Sequence, residues 1–486
     1  MPSAAANSVP DASGTAGTSA LYADRVRIYP RRVRGLYRRI KWVLLAVTLA
    51  IYYLVPWLRW DRGPGVPDQA VLIDLPGRRA YFFFIEIWPQ EAYYLTGLLI
   101  LAAVGLFLAT SLLGRVWCGY ACPQTVWTDL FMWVERLIEG DRVRRMRRDA
   151  EPLSASKALL KLAKHGAWLL IALATGGAWV MYFNDAPTVM GEAMRFEASA
   201  AVYSFIGLFT ATTYLLAGWA REQLCTYMCP WPRIQAAMLD EHSLIVTYRA
   251  WRGEPRGKHK QGASWEGRGD CVDCMACVQV CPTGIDIRDG QQLECIGCGL
   301  CIDACNEIML KVERPKGLIA FDTLVNQERH AKGLASVYRL VRLRTIVYAA
   351  VLAIVLSIML GAWLMRSTTE LTVLHDRAPL FVALSDGGIR NSYTVKILNK
   401  SHDTRRFRLS AHGIPGASVT IAESSSEQGA LLTVQPDQVA TYRVHLRADR
   451  ALVKSESTAV ELVLSAVGGA ETIRHQTVFA GPKEGR

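Results

Sequence analysis

No G-x-G-x-x-G follows a strand-like segment in this chain and no Walker A element is present, so neither a dinucleotide nor a nucleoside triphosphate has an evident seat. No kinase, DNA-binding or other output module is recognisable. No cysteine follows Cys305, and the residues beyond about 368 hold no cluster of histidine, so that tail carries neither disulfides nor a metal centre of its own. A cleavable signal peptide is also missing. The first apolar run begins after about 40 residues without a small-residue cleavage site, and it reads as an anchor. Acid is in short supply: 43 Asp and Glu stand against 55 Lys and Arg, a net charge of +12.

What is abundant is apolar side chain, at 51% hydrophobic with a positive mean hydropathy. Five stretches have the length and composition of membrane spans: Trp42–Leu58, Ala92–Leu113, Gly166–Phe183, Ala200–Trp219 and Ile346–Met365. The third has Lys161, Lys164 and His165 at its entrance. Tyr81–Trp88 is too short to span, is broken by Glu86 and Pro89, and reads as a re-entrant or interfacial piece. Arg25, Arg27, Arg31, Arg32, Arg34, Arg38, Arg39 and Lys41 precede the first span. Arg142, Arg144, Arg145, Arg147 and Arg148 follow the second; Arg249, Arg252, Arg256, Lys258 and Lys260 follow the fourth. By the positive-inside rule this places the N-terminus and both loops in the cytoplasm and the C-terminal tail on the outer side of the membrane. The basic excess is thus an orientation signal and a lipid-facing collar. Nucleic-acid binding is not expected, because the basic runs abut spans rather than a reading head.

Eight of the 12 cysteines form Cys271-x-x-Cys274-x-x-Cys277-x-x-x-Cys281-Pro282 and Cys295-x-x-Cys298-x-x-Cys301-x-x-x-Cys305. This is the spacing of bacterial two-cluster ferredoxins, in which the fourth cysteine of each run ligates the other cluster. Cluster one is expected on Cys271, Cys274, Cys277 and Cys305, and cluster two on Cys295, Cys298, Cys301 and Cys281. Zinc needs four ligands rather than two interlocked sets, and a cytoplasmic setting disfavours disulfides. Gly284, Gly297, Gly299, Ala276 and Ala304 allow the backbone to press close to an inorganic core. Asn306 stands where a second proline often follows the last cysteine.

The other four cysteines repeat one pattern. Arg115-Val-Trp-Cys118-Gly-Tyr-Ala-Cys122-Pro123 follows the second span, and Arg221-Glu-Gln-Leu-Cys225-Thr-Tyr-Met-Cys229-Pro230 follows the fourth. Both read Cys-x-Tyr-x-Cys-Pro, which points to two equivalent helix pairs bringing four thiols together. A helical turn would set each pair on one side, and each proline favours a fresh helix start. Four soft thiolates suit Cu(I), an iron–sulfur centre or a redox-active dithiol, whereas a purely structural role would treat them as small hydrophobes. Trp117, Trp127, Trp133, Trp219 and Trp231 surround them as interface anchors. Weaker candidates are His165 for haem, which has no histidine in a facing span, His242 beside Asp240 and Glu241 as a proton or metal site, Met228 as a copper ligand, and Glu86 as a proton acceptor from a quinol.

Beyond Thr368 the hydrophobic period becomes two. Tyr393, Val395 and Ile397 alternate with polar residues, as do Tyr442, Val444 and Leu446; further runs are Phe381–Leu384, Phe407–Leu409, Val419–Ile421, Leu431–Val434, Val460–Leu464 and Thr472–Phe479. Asp386-Gly387-Gly388, Pro415-Gly416 and Ser424-Ser425-Ser426 punctuate them. Such a series predicts an Ig-like β-sandwich, read as a docking or spacing module. The whole is expected to be a multidomain membrane protein: an α-helical bundle of about five spans, an inserted α+β two-cluster ferredoxin, and the sandwich. Boundaries are expected at 1–40 (a basic N-terminus, disordered over 1–20), 41–247 (membrane region), 248–345 (ferredoxin insert, ending near Pro315, with flanking linkers), 346–366 (last span) and 367–486 (sandwich).

Arg34-Gly35-Leu36-Tyr37, Trp88-Pro89-Gln90, Cys118-Gly-Tyr-Ala-Cys122-Pro123, Trp251-Arg252-Gly253-Glu254-Pro255-Arg256 and the cluster cysteines together resemble the cytochrome c oxidase accessory family known as CcoG, FixG or RdxA. The resemblance implies a membrane reductase turning Cu(II) into Cu(I) for assembly of a cbb3-type oxidase, with two 4Fe-4S clusters and with copper bound or reduced near Cys118, Cys122, Cys225 and Cys229. It implies an external electron donor and delivery of Cu(I) to a copper-exporting ATPase, a copper chaperone or oxidase subunits. Three other readings stand beside it: a quinol dehydrogenase feeding a periplasmic partner, an iron–sulfur sensor of oxygen or redox state, and an assembly scaffold.

Overall fold

A computed structural model of the chain describes residues 27–482 except 64, 260, 261, 263, 402, 423–429, 437, 454 and 470. The stretch 1–20 expected to be disordered, Arg25, Lys260 and Ser424–Ser426 lie outside the described residues. Five helices are long and apolar enough to cross a membrane: Leu36–Trp57, Pro89–Leu113, Ala155–Met181, Ala200–Ala220 and Leu343–Leu364. They coincide with the five expected spans, the fourth starting at Ala200 as expected and the other four starting earlier. The chain divides into two compact units, one holding the helices and the cysteine-rich insert, the other the C-terminal strands.

Helix α1 (Leu36–Leu54) has no side-chain cap of its own. Its first free N–H groups are met from far along the chain, since Asp303 Oδ1 accepts from Tyr37 N at 3.3 Å and Oδ2 from Arg38 N at 2.8 Å. A carboxylate at a helix N-terminus also favours the helix dipole. Three short antiparallel strands follow, β1 (Val71–Asp74), β2 (Arg79–Phe82) and β3 (Ile85–Ile87). The expectation of a re-entrant piece over Tyr81–Trp88 is thereby corrected. A hairpin satisfies the backbone of this run, and Glu86 is buried on β3 opposite Tyr81. Helices α2 (Tyr93–Leu113), α3 (Pro123–Glu139), α4 (Arg142–Ala150), α5 (Ala155–Met181), α6 (Ala186–Met194), α7 (Ala200–Thr213) and α8 (Trp231–Met238) complete the membrane region. The strands are fixed to the end of α5, where Gln69 Nε2 donates to Met181 O at 2.7 Å and Ile73 N to Tyr182 O at 2.8 Å.

The third span differs most from expectation, for α5 starts at Ala155 rather than near Gly166. Lys161 and Lys164 do not mark its boundary because carboxylates neutralise them inside the protein. Lys164, 2% exposed, lies 3.0 Å from Glu139 and 3.5 Å from Glu135; Lys161 lies 2.6 Å from Asp149 and 3.1 Å from Glu139. Glu135 also takes Arg145 at 2.6 Å and Arg221 at 2.9 Å. Asp129 collects Arg38 at 2.9 Å, with Lys41 and Arg136 each at 3.7 Å. Part of the basic collar is therefore internal wiring.

In the insert, β4 (Ile245–Tyr248) leads to α9 (Ala250–Gly253), α10 (Ala276–Val280) and α11 (Leu300–Lys311). Strand β5 (Ile319–Asp322) returns antiparallel to β4, pairing Ile245 with Asp322 and Tyr248 with Ile319, before α12 (Leu324–Ala331). The fold of the insert thus continues past Pro315. The expected linker 248–270 is docked at its ends, since Arg252 pairs with Asp270 and Cys271 N donates to Gly253 O at 3.3 Å. Ile287, Ile302, Met309, Leu318 and Ile319 form the core beside Cys271 and Cys277. Asn306 has a structural task, its Oδ1 accepting from Gly317 N at 2.8 Å.

After α13 (Leu343–Leu364), strands β6 (Thr369–His375), β7 (Val382–Ala383), β8 (Gly388–Asn399), β9 (Arg405–His412), β10 (Ser418–Ile421), β11 (Ala430–Val434), β12 (Gln438–Asp449), β13 (Ser457–Ala466) and β14 (Thr472–Ala480) build two antiparallel sheets. One runs β10-β12-β8-β6 with β7 on β8, the other β11-β9-β13-β14. Seven of the eight expected runs lie within strands, Phe381–Leu384 is a strand only at Val382–Ala383, and β6 is additional. Tyr393, Val395, Ile397, Phe407, Leu432, Val444 and Leu462 meet between the sheets, each at most 1% exposed. Asn391 joins them, donating to Ala480 O and accepting from Ala480 N, both at 2.9 Å.

Burial opposes the charge on Asp129, yet Lys41 and Arg38, aided by Arg136, hold its carboxyl below the ordinary range. Asp129→Asn leaves the buried Arg38 and Lys41, and the half-buried Arg136, short of their counter-charge. It is expected to cost about 3–5 kcal/mol, measurable as a fall in the thermal midpoint of the purified protein.

Candidate functional site

Both copies of the repeated motif fold through a π-helical turn, Trp117–Ala121 in the first and Leu224–Met228 in the second. In each, the second cysteine closes a five-residue ring: Cys122 N donates to Trp117 O at 2.8 Å, and Cys229 N to Leu224 O at 2.7 Å. Cys122 and Cys229 are themselves extended. The expected helical turn is present but widened, and the chain leaves it at the second thiol. The proline effect is as expected, Pro123 opening α3 and Pro230 capping α8. Widened turns of this kind recur at functional sites.

The four cysteines share one cavity of about 310 Å³, lined by Cys118, Cys122, Cys225, Cys229, Trp231 and, from the insert, Cys295. The copies clasp each other across it. Cys118 Sγ donates to Gln235 Oε1 at 3.1 Å, and Gln124 Nε2 donates to Leu216 O at 2.8 Å and Arg221 O at 3.2 Å. Burial pushes the Cys118 thiol up to about 12 and the Cys225 thiol up to about 11, with the neighbouring cysteines adding to the effect. Such thiols keep their protons until a soft cation displaces them.

The insert meets this cavity closely. Arg115, 7% exposed, donates through Nη1 to Leu293 O and to Cys295 O (3.1 Å) and through Nη2 to Pro232 O at 2.9 Å. Tyr120 OH donates to Cys298 O at 3.0 Å. A Cβ at Gly119 would sit 2.9 Å from Ile296 O and 3.0 Å from Cys298 Cα, so only glycine permits the approach.

Within the insert the cysteines lie close together. Cys305 neighbours Cys277, Cys271 and Cys274. Cys277, Cys281, Cys295, Cys298 and Cys301 line one small cavity, and Cys301 neighbours the other four. Cys277 thus adjoins both runs of the motif. Burial raises Cys277 to about 11 and Cys295 and Cys305 to about 12. Gly297 and Gly299 adopt positive φ (67° and 70°) between the ligand positions, a conformation that costs a side-chain-bearing residue dearly. All 12 cysteines are free thiols, and Cys274 is the exposed member. Among the described residues no three His, Cys, Asp or Glu side chains converge tightly enough to hold a metal ion, so the quartets are neighbourhoods rather than closed coordination spheres.

The weaker candidates separate from this centre. His165 Nδ1 meets Tyr214 OH at 2.8 Å, His242 sits in the polar turn after α8 with its N–H on Asp240, and Met228 is 65% exposed. Trp127 donates to Thr175 Oγ1 at 2.9 Å, while Trp117, Trp133 and Trp219 are exposed. Gln124, Gln235, Asp303 and the role of Arg115 escape sequence reasoning; the signal for Arg115 is that an arginine precedes each motif, three residues before Cys118 and four before Cys225.

A family model for a 4Fe-4S dicluster domain matches residues 220–324, a second for a 4Fe-4S binding domain matches 95–140, and a third for the Ig-like fold at the C-terminus of FixG matches 359–482. The nitrogen fixation protein FixG of Rhizobium meliloti is 52% identical over 87% of this chain and 87% of its own length. Protein RdxB of Cereibacter sphaeroides is 48% identical over 96% and 98%, and protein RdxA of the same organism 53% identical over 83% and 86%. These matches support iron–sulfur clusters in a membrane electron-transfer protein.

Gly119→Ala drives a methyl group into the backbone of the Cys295–Cys298 loop. It is expected to lower stability by about 1–3 kcal/mol in a thermal melt, whereas Gly105→Ala, inside α2 where a Cβ meets nothing within 4 Å, does not lower the midpoint.

Proposed function

From the premise that the chain belongs to the FixG family, we propose that it is a membrane cupric reductase, converting Cu(II) to Cu(I) at the cavity formed by Cys118, Cys122, Cys225 and Cys229. The observation carrying the reading is that both cysteine pairs and Cys295 line one cavity. In the proposal, Cys271, Cys274, Cys277 and Cys305 hold one 4Fe-4S cluster, and Cys295, Cys298, Cys301 and Cys281 hold the other. Clusters of this type supply single electrons at potentials set by their thiolates, hydrogen bonds and burial. The protein's residues do the rest. Arg115, Gly119 and Tyr120 press the Cys295–Cys298 loop against the copper cavity. The four thiols lose protons as they take copper, and their softness favours the reduced ion. Each Cu(II) gains one electron, drawn ultimately from an external donor. Cys274 provides the exposed edge for that donor.

The distribution of arginine and lysine supports a cytoplasmic N-terminus and insert and a periplasmic sandwich. Cu(I) would then pass to a copper-exporting ATPase, a chaperone or subunits of a cbb3-type oxidase. A second reading is favoured by one observation: the 4Fe-4S binding family model over 95–140 includes Cys118 and Cys122. Under it the quartet holds an iron–sulfur centre serving quinol oxidation.

Anaerobic protein reduced with dithionite and freed of excess reductant separates the two. Added Cu(II) is expected to restore the oxidised cluster spectrum while a Cu(I)-specific chelator records one Cu(I) per electron. Cluster reduction by a quinol analogue, with no Cu(I) formed, would assign the site to quinol instead.

A further inference from the structure

The start of α1 and the second half of α3 enclose a second feature, remote in chemistry from cysteine. It is a groove of about 960 Å³ lined by Arg32, Arg34, Arg38, Arg39 and Arg136, with Trp42 and Trp133 on its flank and no carboxylate in its lining. Asp129 stands behind it and takes Arg38, Lys41 and Arg136. Among the described residues no carboxylate lies within ion-pairing distance of the Arg32, Arg34 or Arg39 side chains. With Asp141, which accepts from Arg32 N at 3.0 Å, and Asp303, which accepts from Arg38 N at 2.8 Å, three carboxylates face six cations. The Nη2 of Arg38, in a side chain only 8% exposed, has no hydrogen-bond acceptor. The groove is charged well beyond internal need.

Its surroundings identify the missing anion. Trp42 and Trp133 meet edge to face with centroids 6.0 Å apart, and Arg38 lies 4.6 Å over the Trp42 ring. Paired tryptophans at the end of a membrane span are the usual mark of headgroup depth. From the groove, Leu36, Ile40, Val43 and Val47 run down one face of α1 at i, i+4, i+7 and i+11, exposed by 39–62%, with Leu137 of α3 exposed at 71% beside them. An apolar stripe directly below a guanidinium cluster matches an acyl chain below a phosphate. Arginine forks bind phosphate oxygens bidentately, which a lysine cluster would not do.

We propose that this groove binds the phosphate-bearing headgroup of an anionic phospholipid, whose chains lie along the exposed face of α1. Free phosphate shares the headgroup chemistry but gains nothing from the stripe. The site is independent of the copper reading.

Purified full-length protein in detergent, titrated with phosphatidylglycerol and examined by native mass spectrometry, tests this. Wild type is expected to retain one phosphatidylglycerol at concentrations where phosphatidylcholine of the same chains is lost. The double variant Arg34→Gln, Arg39→Gln, at two exposed positions, is expected to weaken retention about tenfold or more with iron content and thermal midpoint unchanged. Equal retention of phosphatidylcholine, or undiminished retention by the variant, would overturn the proposal. Displacement of the lipid by an equimolar amount of inorganic phosphate would do so too, and would assign the groove to free phosphate.

Discussion

One buried guanidinium holds the redox part of this protein together. Arg115 reaches Pro232 in α8, just after the second cysteine motif, and the carbonyls of Leu293 and Cys295 in the insert, and it begins the segment carrying Cys118. Three regions distant in sequence are thereby fixed around one cavity. Without it, the backbone carbonyls of a loop at a membrane surface would turn to water, and the insert would have no defined face toward the spans. Tyr120 and Gly119 extend the same contact, and Asp303, between Cys301 and Cys305, ties the other side of the insert to the first turn of α1. The cysteine-rich fold is thus built into the start of the membrane bundle rather than tethered to it.

The charged network around α3 does a related task. Asp129, Glu135 and Glu139 are each at most 2% exposed and together gather cations from α1, α4, α5 and the turn after α7. Buried ions add little net stability, but removing one partner is costly, so such a network specifies which helices meet. Where arginines exceed the available carboxylates, in the groove beside Trp42, the surplus faces outward.

What sequence could reveal followed from periodicity and ligand spacing. The dicluster character of the insert was legible because inorganic clusters dictate the gaps between their ligands. The meeting of Cys118, Cys122, Cys225 and Cys229 was legible because the motif is written twice. The sandwich strands announced themselves by alternation, except β6, whose partner β8 supplies the pairing that its own pattern does not advertise. Three things resisted. The hairpin through Tyr81–Phe82 looked like membrane sequence, because short apolar runs do not distinguish strand from buried helix. The true start of α5 was hidden by lysines that find carboxylates only in the fold. Arg115, Gln124 and Gln235 bind carbonyls and side chains some 90–180 positions away, which no local pattern records.

The central claim is that electrons leave the protein at the four-cysteine cavity. Rapid mixing of the reduced protein with Cu(II), comparing wild type with a variant carrying serine at 118, 122, 225 and 229, tests it most directly. The account predicts that the variant keeps its iron and its reduced spectrum but forms Cu(I) far more slowly. Cu(I) formation by the variant at the wild-type rate would contradict it.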